Sequence, residues 1–105
     1  MSPLELLEEN KSEIGLLCRH YGVVRLRVFG SALSEDWDEA CSDIDFLADY
    51  GPERLLLPPL QRLVGLPMAL EELLGRKVDV VNVAMIRNPF FKESAEMRTK
   101  DLYAA

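Results

Sequence analysis

Residues 23–31 read VVRLRVFGS, and the fold turns on them. Val24, Leu26 and Val28 alternate with Arg25 and Arg27, which is the period of a half-buried strand. The strand runs straight into Gly30-Ser31. Glycine there lets the backbone turn sharply and come close to a ligand, and serine offers a hydroxyl and an N–H to a phosphate. By itself the dipeptide supports no more than a plain turn.

Upstream, Ser2-Pro3-Leu4-Glu5 opens a helix: Ser2 can cap it, Pro3 suits the first turn and Glu5 completes a capping box. Leu4, Leu7, Ile14, Leu17 and Cys18 form an apolar stripe at helical spacing, and Gly22 is a natural stop. Downstream, residues 32–42 (ALSEDWDEACS) are polar and acidic and predict a short helical turn and a loop. Asp43 to Tyr50 (DIDFLADY) predicts a second strand, ended by Gly51-Pro52. The leucine-rich segment from Leu55 to Leu74 predicts a helix that starts at Pro58-Pro59, with a kink or break at Pro67 and a stop at Gly75. Lys77 to Val83 (KVDVVNV) predicts a third strand. Asn88-Pro89 is expected to start a last helix, running through Phe90, Phe91, Ala95 and Leu102 to the C-terminus. Helix, strand, turn, strand, helix, strand, helix is the order of one α/β or α+β domain, residues 1–105.

A chain of 105 residues with a net charge of -6 narrows the function classes. It can bury one core and no second one, so a large substrate must be gripped partly by something else. Nucleic-acid binding draws its affinity from Lys and Arg on phosphates, so an acidic chain with no basic run argues against direct DNA or RNA binding. A nucleotide remains possible, because divalent ions can supply positive charge locally. No apolar run is long enough for a membrane span, and the start lacks the pattern of a secretory signal. Cys18 and Cys41 have neither disulfide-framework nor metal-ligand spacing, which predicts free thiols in a reducing cytoplasm.

Asp43-Ile44-Asp45 carries the chemistry. Residues two apart on a strand share a face, so both carboxylates project together. Like charges that close repel, and on a strand of Ile, Phe, Leu and Ala they cost stability. A hard divalent cation removes that penalty, and magnesium prefers oxygen ligands. Two solvated carboxylates at a strand edge are the bland alternative. Asp79 is a third carboxylate inside a valine run. It joins the pair if its strand lies beside the second, and otherwise it is satisfied by Arg76 or Lys77. Three carboxylates around a phosphate-binding turn suit two-metal nucleotidyl transfer, with Asp79 placed to take the proton of the acceptor hydroxyl.

Phe29-Gly30-Ser31, then Ser42-Asp43-Ile44-Asp45-Phe46-Leu47, then Lys77-Val78-Asp79-Val80-Val81 resembles the polymerase-beta-like nucleotidyltransferase superfamily. Within it, the chain is similar to the small stand-alone minimal nucleotidyltransferase (MNT) group. The resemblance spans nearly the whole chain, and the ending from Asn88-Pro89-Phe90-Phe91 to Leu102-Tyr103-Ala104 is similar to that group's last helix. It implies an α+β fold with a small mixed β-sheet flanked by helices. Gly30 and Ser31 would bind the triphosphate of ATP, and Asp43, Asp45 and Asp79 would bind Mg2+, two ions in all. It further implies an antitoxin that moves AMP from ATP to a tyrosine of a partner HEPN ribonuclease toxin and forms an oligomer with that partner; the acidic charge would complement an RNA-binding partner.

Two features depart from the family pattern. Ala32-Leu33-Ser34-Glu35 stands where Ala-Arg-Gly is common, which removes a cation that could face the phosphates. The spacer from Ser31 to Asp43 is one residue longer than usual, a cheap change for a loop. Two rival readings stay open. A drug-modifying nucleotidyltransferase would need an added domain to hold the drug. A docking module would neutralise its partner by binding alone. Among lesser candidates, His20 reads as a helix-end or surface residue, Trp37 as core rather than a flank of the nucleotide, and Arg25 and Arg27 as solvated rather than touching phosphate. Cys41 has nothing to make it a nucleophile. The Glu35-Asp36-Asp38-Glu39 cluster reads as a solvated loop or a face toward a basic partner.

Overall fold

The computed structural model describes residues 2–33, 43–50, 59–83 and 98–105, with the backbone alone at Ser31, Pro59, Leu60 and Arg62. The N-terminal helical region is two helices: α1 (Pro3–Glu9) and α2 (Lys11–Tyr21). The capping box forms as expected. Ser2 Oγ accepts from the Glu5 N–H at 3.2 Å and donates to Glu5 Oε1 at 3.2 Å. The break falls at Asn10, whose Nδ2 donates to the Leu6 carbonyl at 2.9 Å. That bond draws the side chain back onto the preceding turn, a habit of Asn that competes with helix continuation. Gly22 ends α2 in the left-handed conformation, φ 76°.

The strands are β1 (Val23–Phe29), β2 (Ile44–Tyr50), β3 (Val78–Asn82) and β4 (Thr99–Ala104), ordered β3-β2-β1-β4 in one sheet. β1 pairs antiparallel with both β2 and β4, and β2 pairs parallel with β3, so the sheet is mixed. A 3-10 turn, Gly30–Leu33, follows β1, and α3 (Pro59–Leu74) makes the return to β3. Pro67 lies inside α3 without breaking it. The carbonyl that loses its N–H partner there belongs to Leu63, on a part of the helix open to water, and water can serve it.

The C-terminal segment corrects the expectation of a last helix through Leu102. Residues 99–104 form a strand, and the part of that expectation covering Asn88 to Met97 lies outside the described residues, as do Trp37, Cys41 and the 35–39 acidic cluster. The reason is non-local. Without β4, the N–H and C=O groups on one edge of β1 would go unpaired. β4 pairs along Arg25–Phe29, and the Ala105 N–H continues the pairing to the Val24 carbonyl at 2.8 Å. Leu102 then drops into the core, and Arg25 pairs with Asp101 at 2.9 Å and 3.3 Å.

The sheet has two different faces. Leu26, Val28, Ile44, Phe46 and Ala48 pack with Leu7, Ile14 and Cys18 of α1 and α2 and with Leu66, Leu70 and Leu74 of α3 into one core. Residues between them on each strand point to the opposite face. That face carries Arg27, Phe29, Asp45, Leu47 and Asp79, and Leu47 is fully buried there. Arg27 is 8% exposed, which corrects its reading as solvated.

Candidate active site at the Gly-Ser turn and the carboxylate edge

Register brings the carboxylates together. Asp45 lies across from Phe29 on the antiparallel side and across from Asp79 on the parallel side. In-register partners on neighbouring strands point the same way and sit about 4.8 Å apart, so Asp45 and Asp79 share a face and a level. Asp43 stands just ahead of β2, two residues from Asp45. The Ile44 N–H bonds the Lys77 carbonyl at 3.1 Å and holds this end of β2 against the approach to β3.

Exposure grades across the three. Asp43 and Asp79 are exposed, while Asp45 is half-buried between its neighbours. Burial pushes the Asp45 carboxyl above the usual carboxylate range, and the charges of Asp79 and then Asp43 push it further the same way. Asp45 therefore feels the charge of both other carboxylates. Asp79 departs from its expected setting within a valine run. β3 is an edge strand, so its valines are only half-buried and Asp79 faces water.

Gly30 completes the geometry. Its φ is +74°, a conformation that L side chains rarely adopt, and a Cβ placed there would lie 2.6 Å from Asp45 Oδ2. Two independent constraints thus demand glycine: the turn and the close approach of the Asp45 carboxylate. The backbone of Ser31 follows within the 3-10 turn, so the turn and the carboxylates adjoin. Ala32 is buried and Leu33 partly buried beyond it.

Hard oxygen donors that repel one another, beside a turn with room only for hydrogen at Gly30, fit a divalent cation and a phosphate chain. Among the described residues no three His, Cys, Asp or Glu side chains close around one point. Arg27, taken from the sequence as solvated, lies on this same face two residues back along β1, in register with Leu47 and Asp101. The strand alternation showed that Arg27 and Phe29 share a face, but only the pairing of Phe29 with Asp45 puts that face beside the carboxylates.

The family model for the nucleotidyltransferase domain matches residues 11–102. Two provisionally named protein adenylyltransferases of Methanocaldococcus jannaschii are similar to this chain. One is 38% identical over 92 residues, 88% of this chain and 86% of its own. The other is 37% identical over 90 residues, 86% of this chain and 89% of its own. A solved structure of a provisionally named minimal nucleotidyltransferase superposes with a TM-score of 0.75 at 33% identity, covering 92% of this chain and 93% of that one. The Shewanella oneidensis complex of a tri-AMPylated HEPN toxin with an MNT antitoxin shares the fold, with a TM-score of 0.63 at 20% identity over 94% of this chain and 73% of that one. With a family match over residues 11–102 and relatives of this similarity across most of both chains, the chain belongs to the nucleotidyltransferase domain family.

Proposed function

We propose that residues 1–105 form a single minimal nucleotidyltransferase domain that moves AMP from ATP to a hydroxyl in a magnesium-dependent reaction. The acceptor is a tyrosine of a partner HEPN ribonuclease toxin, which makes the chain an antitoxin. The observation that carries this reading is the packing of Gly30 against Asp45, with Asp79 in register beside it. The partner assignment draws support from solved structural neighbours that are toxin–antitoxin complexes, one of them bound to AMP-PNP.

In this reading Asp43, Asp45 and Asp79 hold two magnesium ions. When bound, the ions neutralise charge on the triphosphate and lower the pKa of the acceptor hydroxyl. Gly30 brings the backbone close to the phosphates, and Ser31 offers its N–H and hydroxyl to them. The acceptor oxygen attacks the α-phosphorus, a new O–P bond forms, the bond to the bridging oxygen breaks and pyrophosphate leaves. Asp79, exposed on the edge strand, takes the proton of the acceptor. Because charge gathers on the phosphoryl oxygens, donors and cations fixed in advance do most of the work.

A second reading is a docking module that silences its partner by binding alone. It is favoured by the Ala32-Leu33 sequence, which lacks the arginine that relatives often carry after the Gly-Ser turn. One experiment separates the two. The chain is incubated with its HEPN partner, Mg2+ and ATP labelled at the α-phosphate, beside the Asp43→Ala/Asp45→Ala double variant. Label on a partner tyrosine with the wild type alone supports transfer. A partner that is bound and neutralised but never labelled, with any of the common nucleoside triphosphates, leaves the docking module.

A further inference from the structure

The helix layer carries more apolar surface than the core uses. Leu66, Leu70 and Leu74 of α3 already face the sheet, as do Ile14 and Cys18 of α2. Yet Val64 and Met68 of α3 and Leu16 of α2 remain 49%, 66% and 62% exposed. A helix that is apolar nearly all round, as α3 is from Leu63 to Leu74 apart from its two glutamates, expects cover on more than one side. A patch of this kind on a small protein marks an interaction site.

The patch has a shape. Tyr21 at the end of α2 packs on Gly65 near the start of α3, while Glu13 and Leu16 meet Ala69 and Glu72 further along, so the two helices run antiparallel. Between them lies a groove of about 470 Å³ floored by Leu17, Ala69 and Leu73. Its charged lining residues are Glu13 and Glu72, one from each helix, and no lysine or arginine is among the described residues that line it. The groove opens on the side of the helix layer away from the sheet. The carboxylates of the candidate active site are on the sheet's other face, so an occupant here leaves them accessible.

We propose that this groove docks an amphipathic helix of another protein, with an aliphatic stripe flanked by lysine or arginine. The aliphatic stripe would cover Leu16, Leu17 and Leu73, which line the groove, and give a third helix to the layer. The flanking cations would meet Glu13 and Glu72. A second copy of this chain does not fit, because its own groove brings glutamates to glutamates and each chain carries a net charge of -6. The inference stands whether or not the chain transfers AMP, since it concerns binding without nucleotide.

The test uses two labelled synthetic helices of about five turns each. Both carry the same leucine stripe, flanked by lysine in one and by glutamate in the other. Fluorescence anisotropy with the full chain reads binding, and amide NMR shifts locate it. The lysine helix is expected to bind at least ~10-fold more tightly than the glutamate helix, with shifts confined to α2 and α3. Leu16→Ser, a change at an exposed residue of the groove, should abolish both. Glu13→Lys/Glu72→Lys, exposed changes that circular dichroism would show to be folded, should reverse the preference. A preference unchanged in Glu13→Lys/Glu72→Lys would mean general attraction to an acidic protein and would overturn the proposal. So would shifts on another face, or a homodimer that Leu16→Ser dissolves.

Discussion

Asp45 and Phe46 are neighbours on one strand, yet they belong to different worlds. Phe46 is fully buried in the core beneath the helices, the largest fully buried side chain among the described residues. Asp45 points to the other face, half-buried against Gly30 and pushed toward its neutral form by burial, Asp79 and Asp43. One face of the sheet contributes stability through burial of apolar area. The other holds mutually repelling charge at a cost to the empty protein. The molecule thus separates what holds it together from what gives it chemistry by the width of one strand.

That contrast is sharpest in paired variants. Phe46→Ala should cost about 3–5 kcal/mol, enough to unfold a marginal domain, and urea unfolding would read it. Asp45→Asn should do the opposite. It removes a like charge, so the metal-free protein should gain a few degrees in thermal midpoint, while transfer should drop by roughly 10²-fold or more. The sign follows from linkage. A carboxyl raised in the folded state binds its proton more readily than in the unfolded state, so stability falls as pH climbs from the usual carboxylate range through the raised value. Mg2+ should offset that loss in wild type, whereas Asp45→Asn, which lacks the titrating carboxyl, should show neither the loss nor a comparable gain with Mg2+. Equal thermal responses of the two would break the comparison.

Gly30→Ala tests the seam between the faces. Its Cβ would push Asp45 Oδ2 from 2.6 Å and force an unfavourable φ of +74°. The expected outcome is a backbone cost of about 1 kcal/mol by denaturant titration together with a larger fractional loss of transfer. Gly75 is the control: its φ is +66° with nothing within 4 Å, so Gly75→Ala should cost similar stability and leave transfer unchanged.

Cys18 reports on the helix side. Burial pushes its thiol from 9.0 up to about 12. The unfolded thiol ionises first, so stability should decline between about pH 9 and 12, with a slope that Cys18→Ala removes. At neutral pH, labelling of Cys18 by a thiol reagent should proceed no faster than unfolding exposes it. The smallest effect is expected for Asp101→Asn. Its pair with Arg25 lies in water, so the loss should be below about 1 kcal/mol and should shrink with salt.

Local chemistry made much of this legible in the residues. The capping box at Ser2, the stop at Gly22, the Val24–Val28 alternation and the valine-rich third strand are read within a few positions of each other. So is the closeness of Asp43 to Asp45. What lay beyond reach was anything settled by partners distant in sequence. Residues 99–104 form a strand because β1 offers an open edge some seventy residues earlier, and no local propensity records that. Arg27 sits in a pattern that a solvated strand face would also produce; burial depends on what lies over that face.

By itself, then, the sequence determined the three carboxylates, the Gly-Ser turn and the elements that bear them, since spacing along a helix or strand dictates which side chains share a side. Only the tertiary structure decided that β3 lies beside β2 in register, so that Asp79 stands level with Asp45, and that Gly30 closes against that same carboxylate. It also decided that α2 and α3 leave an acidic-rimmed groove between them. The physical reason is common to all three. Strand order, register and helix contact minimise exposed apolar area and unpaired backbone over the whole chain at once, and no window of neighbouring residues contains that sum.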